Sequence, residues 1–150
     1  MKTTPSAISQ DSVDGRIASS IGRPWKALAK GPEAFDCWGF VRYALDLLDA
    51  PDAPFLDETT RSENMVQLSK RFERVGHRTP YSILLMGKRG LFSHVGVYHP
   101  SGYVYHCVEG RGVCGHRFSQ LGILGYDTFQ FYLWGDHDPA LRQEESVRSA

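Results

Sequence analysis

Three residues of this sequence could together carry out thiol chemistry: Cys37, His94 and His106. A cysteine attacks carbonyl groups as its thiolate, and the first turn of a helix favours that form through the helix dipole and its N–H groups. Cys37 follows Asp36, a good N-cap residue, and apolar side chains recur after it at helical spacing up to Asp49. We therefore predict that Cys37 starts a helix, where it is either a nucleophile or, as isolated cysteines more often are, a small buried side chain.

Both histidines lie on a predicted β-hairpin. Residues 94–99 and 103–108 have the composition of strands, and a Pro-Ser-Gly turn separates them. A three-residue loop pairs Gly96 with His106, so that His94 and His106 share one face at diagonal positions, about 7–8 Å apart at the backbone. One imidazole can then orient the other, as a base and its orienting partner do in thiol catalysis. A loop one residue longer would reverse the face of one strand.

Simpler roles are also open to these side chains. A histidine in a sheet is usually a half-exposed polar residue, and we expect this of the remaining four: His77, His99, His116 and His137. Cys37, His94 and His106 could instead bind zinc, but no paired spacing such as Cys-x-x-Cys or His-Glu-x-x-His supports that site. Cys107 and Cys114 could pair if oxidised, and we assign them no catalytic role. The sequence therefore favours thiol catalysis without a metal and without a cofactor.

The elements that must position these residues follow from the hydrophobic pattern. Helical patterns come first in the chain, at residues 11–21, 36–49 and 62–75, with a loop at 25–34. Strand patterns follow at residues 82–86, 94–99, 103–108, 112–118 and 128–134, with a turn at 87–90. One face of the hairpin is expected to be core: Val95, Val97, Tyr105 and Cys107. Helices before strands predict an α+β domain, with N-terminal helices packed on a central antiparallel sheet.

The composition limits the class of protein. A chain of 150 residues with 41% hydrophobic residues can bury one core, and we predict a single domain at 1–135 followed by a polar tail at 136–150. The 17 basic and 17 acidic residues cancel, so no overall field favours nucleic acid or a membrane surface. No apolar run approaches the roughly 20 residues of a membrane span. The amino terminus lacks the features of a secretory signal, so we expect cytoplasmic synthesis without a signal peptide.

Four segments of the sequence resemble the NlpC-type cell-wall peptidases, a papain-like cysteine peptidase group. Residues 35–41, Phe-Asp-Cys-Trp-Gly-Phe-Val, resemble the family's "Asp-Cys-Ser-Gly-(Phe/Leu)-Val" signature. Residues 93–98, Ser-His-Val-Gly-Val-Tyr, resemble its "Ser-His-Val-Gly-Ile-Tyr" strand, and His106 falls where the family has its third catalytic residue. Residues 21–25, Ile-Gly-Arg-Pro-Trp, are similar to its "Gly-x-Pro-Tyr" segment. The resemblance covers roughly residues 20–120, and its motifs occur in the family's order.

The resemblance implies a papain-like fold with Cys37 as nucleophile, His94 as base and His106 orienting that base. Members of the family typically hydrolyse the bond after D-glutamate in peptidoglycan stem peptides, which are therefore the expected partner. Backbone N–H groups near Cys37 would stabilise the oxyanion, with Trp25 in the role of the family's tyrosine and Asp36 holding the substrate's amine. Substrate-binding residues are expected beside the catalytic ones: Trp25, Asp36, Trp38 and Ser93.

Departures from the family pattern bear on specificity and setting. Trp38 replaces a serine that touches substrate, and Tyr81-Ser82 stands where most members have Gly-Asp. The Asp-Cys-Trp-Gly and Gly-Arg-Pro-Trp segments look most like members from tailed phages and prophages, which implies a place at a virion tail among other tail proteins. Two alternatives remain: a related thiol acyltransferase or amidase, and a non-enzymatic component of tail assembly.

Overall fold

The computed structural model describes residues 12–47, 50, 72–76 and 78–134. Within these residues the chain forms two α-helices and then one six-stranded sheet. The helices are α1 (Val13–Ser20) and α2 (Cys37–Leu45). The strands are β1 (Phe72–Val75), β2 (Ser82–Lys88), β3 (Leu91–Tyr98), β4 (Tyr103–Val108), β5 (Gly112–Arg117) and β6 (Thr128–Trp134). A single 3-10 turn, Phe118–Gln120, follows β5.

Each helix begins directly after a residue whose side chain caps it: α2 follows Asp36 as predicted, and α1 follows Ser12, two residues after the predicted start at residue 11. The Ser12 side chain accepts a hydrogen bond from the Gly15 N–H at 2.9 Å, and the Asp36 side chain accepts one from the Gly39 N–H at 2.6 Å. Helix α2 ends earlier than predicted, because Asp46 adopts the left-handed conformation, with φ of 57°. The cap is therefore encoded locally, whereas the helix end is set by a residue that the apolar pattern does not single out.

All neighbouring strands of the sheet run antiparallel, in the order β1-β6-β2-β3-β4-β5. Gly96 lies opposite His106, which confirms the predicted register of the hairpin. Strand β2 continues through Lys88, so the turn predicted at 87–90 is shorter than expected. The pairing of β2 with β3 shifts between Met86 and Gly87, and this shift leaves Ser93 without a cross-strand partner. Ser93 is therefore the extra residue of a β-bulge directly before the strand's histidine.

The predicted third helix is wrong at its end. Residues 72–75 form β1 and pair with Phe131 through Trp134 of β6, while the rest of the predicted helix lies outside the described residues. An apolar residue every three or four positions suggested a helix, but pairing with a strand more than 50 residues away determines this segment's structure. The predicted polar tail, His77 and His137 also lie outside the described residues.

Both faces of the sheet are buried. Helix α2 packs against β3 and β4, and α1 packs against α2. Val95, Val97 and Cys107 join the core under these helices as predicted, with Tyr105 at its margin. The opposite face is buried too, in a second cluster that the sequence pattern did not predict: Leu84, Met86, Tyr98, Val104, Leu121 and Phe131. The α+β class with helices packed on a central antiparallel sheet is confirmed.

Among the described residues, no helix is both long and apolar enough to cross a membrane.

Candidate active site

Cys37 is the first residue of α2 and is 4% exposed. The carboxylate of the preceding Asp36 is buried and accepts two backbone hydrogen bonds, from the Gly39 N–H at 2.6 Å and the Leu28 N–H at 3.1 Å. The Asp36 N–H in turn donates to the carbonyl of Ala29 at 2.9 Å. The helix start is therefore held by the 28–29 loop, and its first turn directs N–H groups away from the helix. The role predicted for Asp36 in holding an amine stays a prediction.

The start of α2 is tied to the strands that carry the histidines. The Cys107 thiol donates to the carbonyl of Phe35 at 3.3 Å, and Cys37 belongs to the same core cluster as Val95 and Cys107. Val95 and Cys107 directly follow His94 and His106 in the chain. The start of α2 is therefore packed against β3 and β4 through the residues that directly follow both histidines.

His94 and His106 form a direct side-chain pair. Nε2 of His94 lies 2.8 Å from Nδ1 of His106, and the two side chains are 6% and 0% exposed. A Cβ atom at Gly96 would lie 3.1 Å from the Cβ of His106 and 2.9 Å from the carbonyl oxygen of Tyr105. Only glycine leaves this cross-strand position open, so the predicted contact between the two imidazoles depends on Gly96.

The bulge at Ser93 and the ring of Tyr126 set the orientation of His94. A bulge rotates the strand locally and re-aims the side chain that follows it. Tyr126 stacks on His94 with ring centroids 5.7 Å apart and an interplanar angle of 8°. Sequence reasoning did not find Tyr126, because the contact depends on how the loop before β6 crosses the sheet. Ser93, predicted to bind substrate, occupies the bulge, and its contact with substrate stays a prediction.

His116 is half-buried, as expected, and it extends the histidine pair. Nε2 of His106 lies 2.9 Å from Nδ1 of His116, and Nε2 of His116 lies 3.2 Å from Nη1 of Arg111. Three imidazoles thus form one hydrogen-bonded chain from the core to an exposed guanidinium. The register of β4 with β5, which places Val104 opposite His116, creates this contact, and no local motif signals it.

The hydrogen-bond partners assign the tautomers in this chain. A guanidinium only donates, so Nε2 of His116 accepts from Arg111 and its Nδ1–H donates to His106. His106 then donates from Nδ1 to Nε2 of His94, which leaves the proton of neutral His94 on Nδ1. The reverse polarity, in which His94 donates from Nε2, requires the exposed Arg111 side chain to move away from His116. The chain therefore has two proton arrangements, and Arg111 favours the inward one.

Burial, followed by the charges of His116 and Arg111, lowers the pKa of His106 from about 6.5 to about 3. Because the folded state resists protonation of His106, stability is complete above pH 6.5 and falls as the pH drops toward 3. We expect a loss of about 2–3 kcal/mol in the free energy of unfolding between pH 6.5 and 4.5 from this group. Denaturant titrations at several pH values would measure it, and His106→Asn should flatten the slope. Equal slopes for the two proteins would contradict the assignment.

The other predicted substrate residues lie beside the start of α2. Trp25 forms an isolated parallel bridge with Phe35 and packs against the core cluster that contains Cys37. The segment before it is fixed from the other side, since the Gly22 N–H donates to the carbonyl of Val113 on β5 at 2.9 Å. Trp38 is 3% exposed and belongs to that same core cluster. Their contacts with substrate stay predictions.

Tyr81 takes the backbone conformation that glycine normally supplies. Its φ is 63°, in the left-handed region. Its hydroxyl donates to Asp14 of α1 at 2.9 Å, and Nε2 of His99 lies 3.0 Å from the same carboxylate oxygen. These bonds fasten α1 to the strands, so Tyr81 and His99 serve to hold the helix against the sheet.

Comparison with protein-family models and with curated proteins finds no match for this sequence. Comparison with solved structures finds NlpC domains. NlpC1 from Trichomonas vaginalis is 18% identical with a TM-score of 0.61, covering 81% of this chain and 42% of its own. NlpC2 from the same organism is 17% identical with a TM-score of 0.61, covering 81% and 45%. The NlpC/p60 domain of the peptidoglycan hydrolase SagA is 20% identical with a TM-score of 0.53, covering 83% and 98%.

This chain therefore spans less than half of the two Trichomonas vaginalis proteins and nearly all of the SagA domain. At these identities the likeness concerns the fold. The two helices and the six-stranded antiparallel sheet, in the described part of the chain, have the papain-like α+β fold of the NlpC/p60 domains.

Proposed function

We propose that this protein is a cysteine peptidase that hydrolyses amide bonds in the stem peptides of peptidoglycan. Cys37 is the nucleophile, His94 the base and His106 the group that orients His94. The observation that carries the proposal is the 2.8 Å contact between the imidazoles of His94 and His106. The strand register that produces this contact pairs Gly96 with His106, as expected from the family motifs. The NlpC/p60 fold supports the substrate class, since the SagA domain is part of a peptidoglycan hydrolase.

In the first half of the reaction the Cys37 thiol passes its proton to His94, and the sulfur attacks the amide carbonyl. Since Nε2 of His94 contacts His106, Nδ1 is the nitrogen that takes this proton. Nδ1 can accept it once the histidine chain has changed to the outward polarity, in which His94 carries its proton on Nε2 and Arg111 has moved away from His116. The imidazolium then donates from Nε2 to Nδ1 of His106, which is the outward polarity of the histidine chain. Backbone N–H groups at the start of α2 stabilise the oxyanion.

Collapse of the tetrahedral intermediate breaks the C–N bond, and His94 returns its proton to the leaving amine. The acyl group remains on Cys37 as a thioester. His94 then removes a proton from water, whose oxygen attacks the thioester, and the carboxylic acid leaves as the proton returns to sulfur. The cycle consumes one water and requires neither a metal nor a cofactor.

The test is the release of new amines from purified wall peptides. The wild-type protein is expected to release them, and Cys37→Ala at equal concentration is expected to release none. Mass spectrometry of the fragments identifies the bond that is cut. Equal release by the two proteins would rule out Cys37 as the nucleophile, and no release by either would rule out the proposed substrate.

The bond after D-glutamate is our proposal for the cleaved position, on the strength of the family motifs at residues 35–41 and 93–98. The same fragments test it, because cleavage there leaves a new amine on the diamino acid. Adding a competing amine acceptor separates hydrolysis from acyl transfer. A product joined to the added amine would favour the acyltransferase alternative.

A virion tail is our proposal for the setting, with synthesis in the cytoplasm and other tail proteins as partners. It rests on the likeness of the Asp-Cys-Trp-Gly and Gly-Arg-Pro-Trp segments to tail-associated members of the family. A virion would carry such a hydrolase to the wall from outside the cell. Detection of the chain in purified virions by mass spectrometry is the expected result. If virions carrying Cys37→Ala entered cells through the wall as efficiently as wild-type virions, an assembly role would be favoured over an enzymatic one.

A further inference from the structure

Three side chains that the catalytic proposal leaves partly unused form a cluster of metal ligands on β4 and β5. His106 lies directly opposite Cys114 in the register of these strands, and His116 is two residues beyond Cys114, on the same face. Their nitrogen and sulfur ligand atoms all lie within 4.8 Å of one another. Among the described residues this is the group that could hold an ion, and it differs from the Cys37, His94 and His106 set that the sequence suggested.

The distances match a tetrahedral site for a thiophilic cation. Zinc bound to two imidazoles and a thiolate sets its ligand atoms about 3.3–3.6 Å apart. Here Nε2 of His106 lies 2.9 Å from Nδ1 of His116, and Sγ of Cys114 lies 4.0 Å from the same nitrogen. Rotations of a few tens of degrees about side-chain bonds would bring both distances into that range. The cation would replace the proton that now lies between the two imidazoles.

Access and the surrounding hydrogen bonds also suit an ion. Cys114 and His116 are half-buried, so an ion can reach them from solvent, whereas His106 is fully buried. A histidine that binds a metal through one nitrogen usually donates from the other to an acceptor that fixes its orientation. Nδ1 of His106 already has such a partner in Nε2 of His94 at 2.8 Å. Arg111, the nearby cation, is exposed and can turn away.

We infer that His106, Cys114 and His116 bind a thiophilic divalent cation, such as Zn²⁺, which switches the peptidase off. Ion binding is independent of the proposed function, whereas the inhibition rests on it. With the cation on Nε2, His106 keeps its proton on Nδ1 and donates to His94. His94 then holds its own proton on Nδ1, so this nitrogen cannot accept the proton of Cys37. The cation thus fixes the inward polarity of the histidine chain, which opposes catalysis.

Binding is tested with Co²⁺ in the Cys37→Ala protein, in the presence of a non-thiol reductant. This background lacks the nucleophile, so any cobalt–thiolate charge-transfer band must come from another cysteine. One equivalent of Co²⁺ is expected to give that band, and added Zn²⁺ should remove it. Cys114→Ser should abolish the band, and His116→Ala should weaken Co²⁺ binding by at least about tenfold. Cys107→Ser is the matched control, because Cys107 directly follows His106 in the chain but is not one of the three ligands. This substitution should leave the band unchanged.

Inhibition is tested in the wild-type protein with stem peptides as substrate. Micromolar Zn²⁺ is expected to inhibit, and Cys114→Ser should raise the half-inhibiting concentration at least tenfold. The metal site would be overturned if Cys37→Ala gave no cobalt–thiolate band, or if the band survived Cys114→Ser. The three histidines would then form a hydrogen-bonded chain without a metal site. A band without zinc inhibition of an active enzyme would overturn the switch. An enzyme inactive without zinc contradicts the proposed function, while the cobalt result still decides the site.

Discussion

Replacing either Cys37 or His94 by alanine is expected to lower kcat for stem-peptide hydrolysis by at least about 10⁴-fold, and replacing both should lower it no further. A thiol and its base act as a unit: the sulfur is a weak nucleophile until the imidazole removes its proton, and that imidazole does nothing useful without the sulfur. Once one partner is lost, the second has nothing left to contribute. The three variants should therefore share one residual rate.

The measurement is a discontinuous assay of amine release with the two single variants and the double variant, each checked for folding by circular dichroism. His99→Ala is the matched control, because His99 lies on the same hairpin but contacts Asp14 of α1 and not His106. It should keep the wild-type kcat. If the losses in the two single variants multiplied in the double variant, Cys37 and His94 would act separately, and the nucleophile–base assignment would be wrong.

The parts of this site that sequence could predict are those with local signals. Asp36 before an apolar helical pattern predicts the cap and the position of Cys37, because capping depends on residues within one turn. The Pro-Ser-Gly turn fixes the hairpin register, and with it the contact between His94 and His106 across Gly96. Both follow from fewer than 15 consecutive residues, so distant parts of the chain did not need to be known.

The parts that sequence could not predict depend on distant pairings. His116 joins the histidine chain only because β5 returns beside β4, and a lone histidine in a strand carries no sign of this. Phe72–Val75 form a strand because β6 provides a partner, although their spacing of apolar residues suits a helix. Tyr126 reaches His94 from the loop before β6. In each case a contact between distant segments decides the role, and the local pattern is ambiguous or silent.

The bulge at Ser93 is an intermediate case. Alternation along β3 correctly places His94, Gly96 and Tyr98 on one face, yet the strand's earlier half is out of phase with it. The Gly-Lys-Arg-Gly segment before β3 suggested only a turn at 87–90. In fact β2 extends into that segment as far as Lys88, and the extra residue is accommodated at Ser93. A sequence can show that a turn is near, but the residue that bulges depends on the pairing of both strands.

Gly39→Ala is expected to destabilise the fold by about 2–4 kcal/mol and to disrupt the start of α2. A Cβ atom at this position would lie 2.1 Å from the carbonyl oxygen of Ala29 and 2.9 Å from Oδ1 of Asp36. Neither neighbour can yield easily, because Ala29 accepts from the Asp36 N–H and Asp36 binds the Gly39 and Leu28 N–H groups. The 28–29 loop must move off the helix, and the cap of α2 is lost with it.

Urea unfolding monitored by tryptophan fluorescence measures the loss for Gly39→Ala, and Gly76→Ala is its matched control. The same methyl group at Gly76 would have no heavy atom of the described residues within 4 Å, so stability should change by no more than about 0.5 kcal/mol. Since Cys37 lies two residues before Gly39, we also expect kcat to fall in Gly39→Ala, because a displacement of about 1 Å in a nucleophile can lower the rate 10²-fold. Equal unfolding midpoints for the two variants would show that the 28–29 loop does not hold the helix start in place.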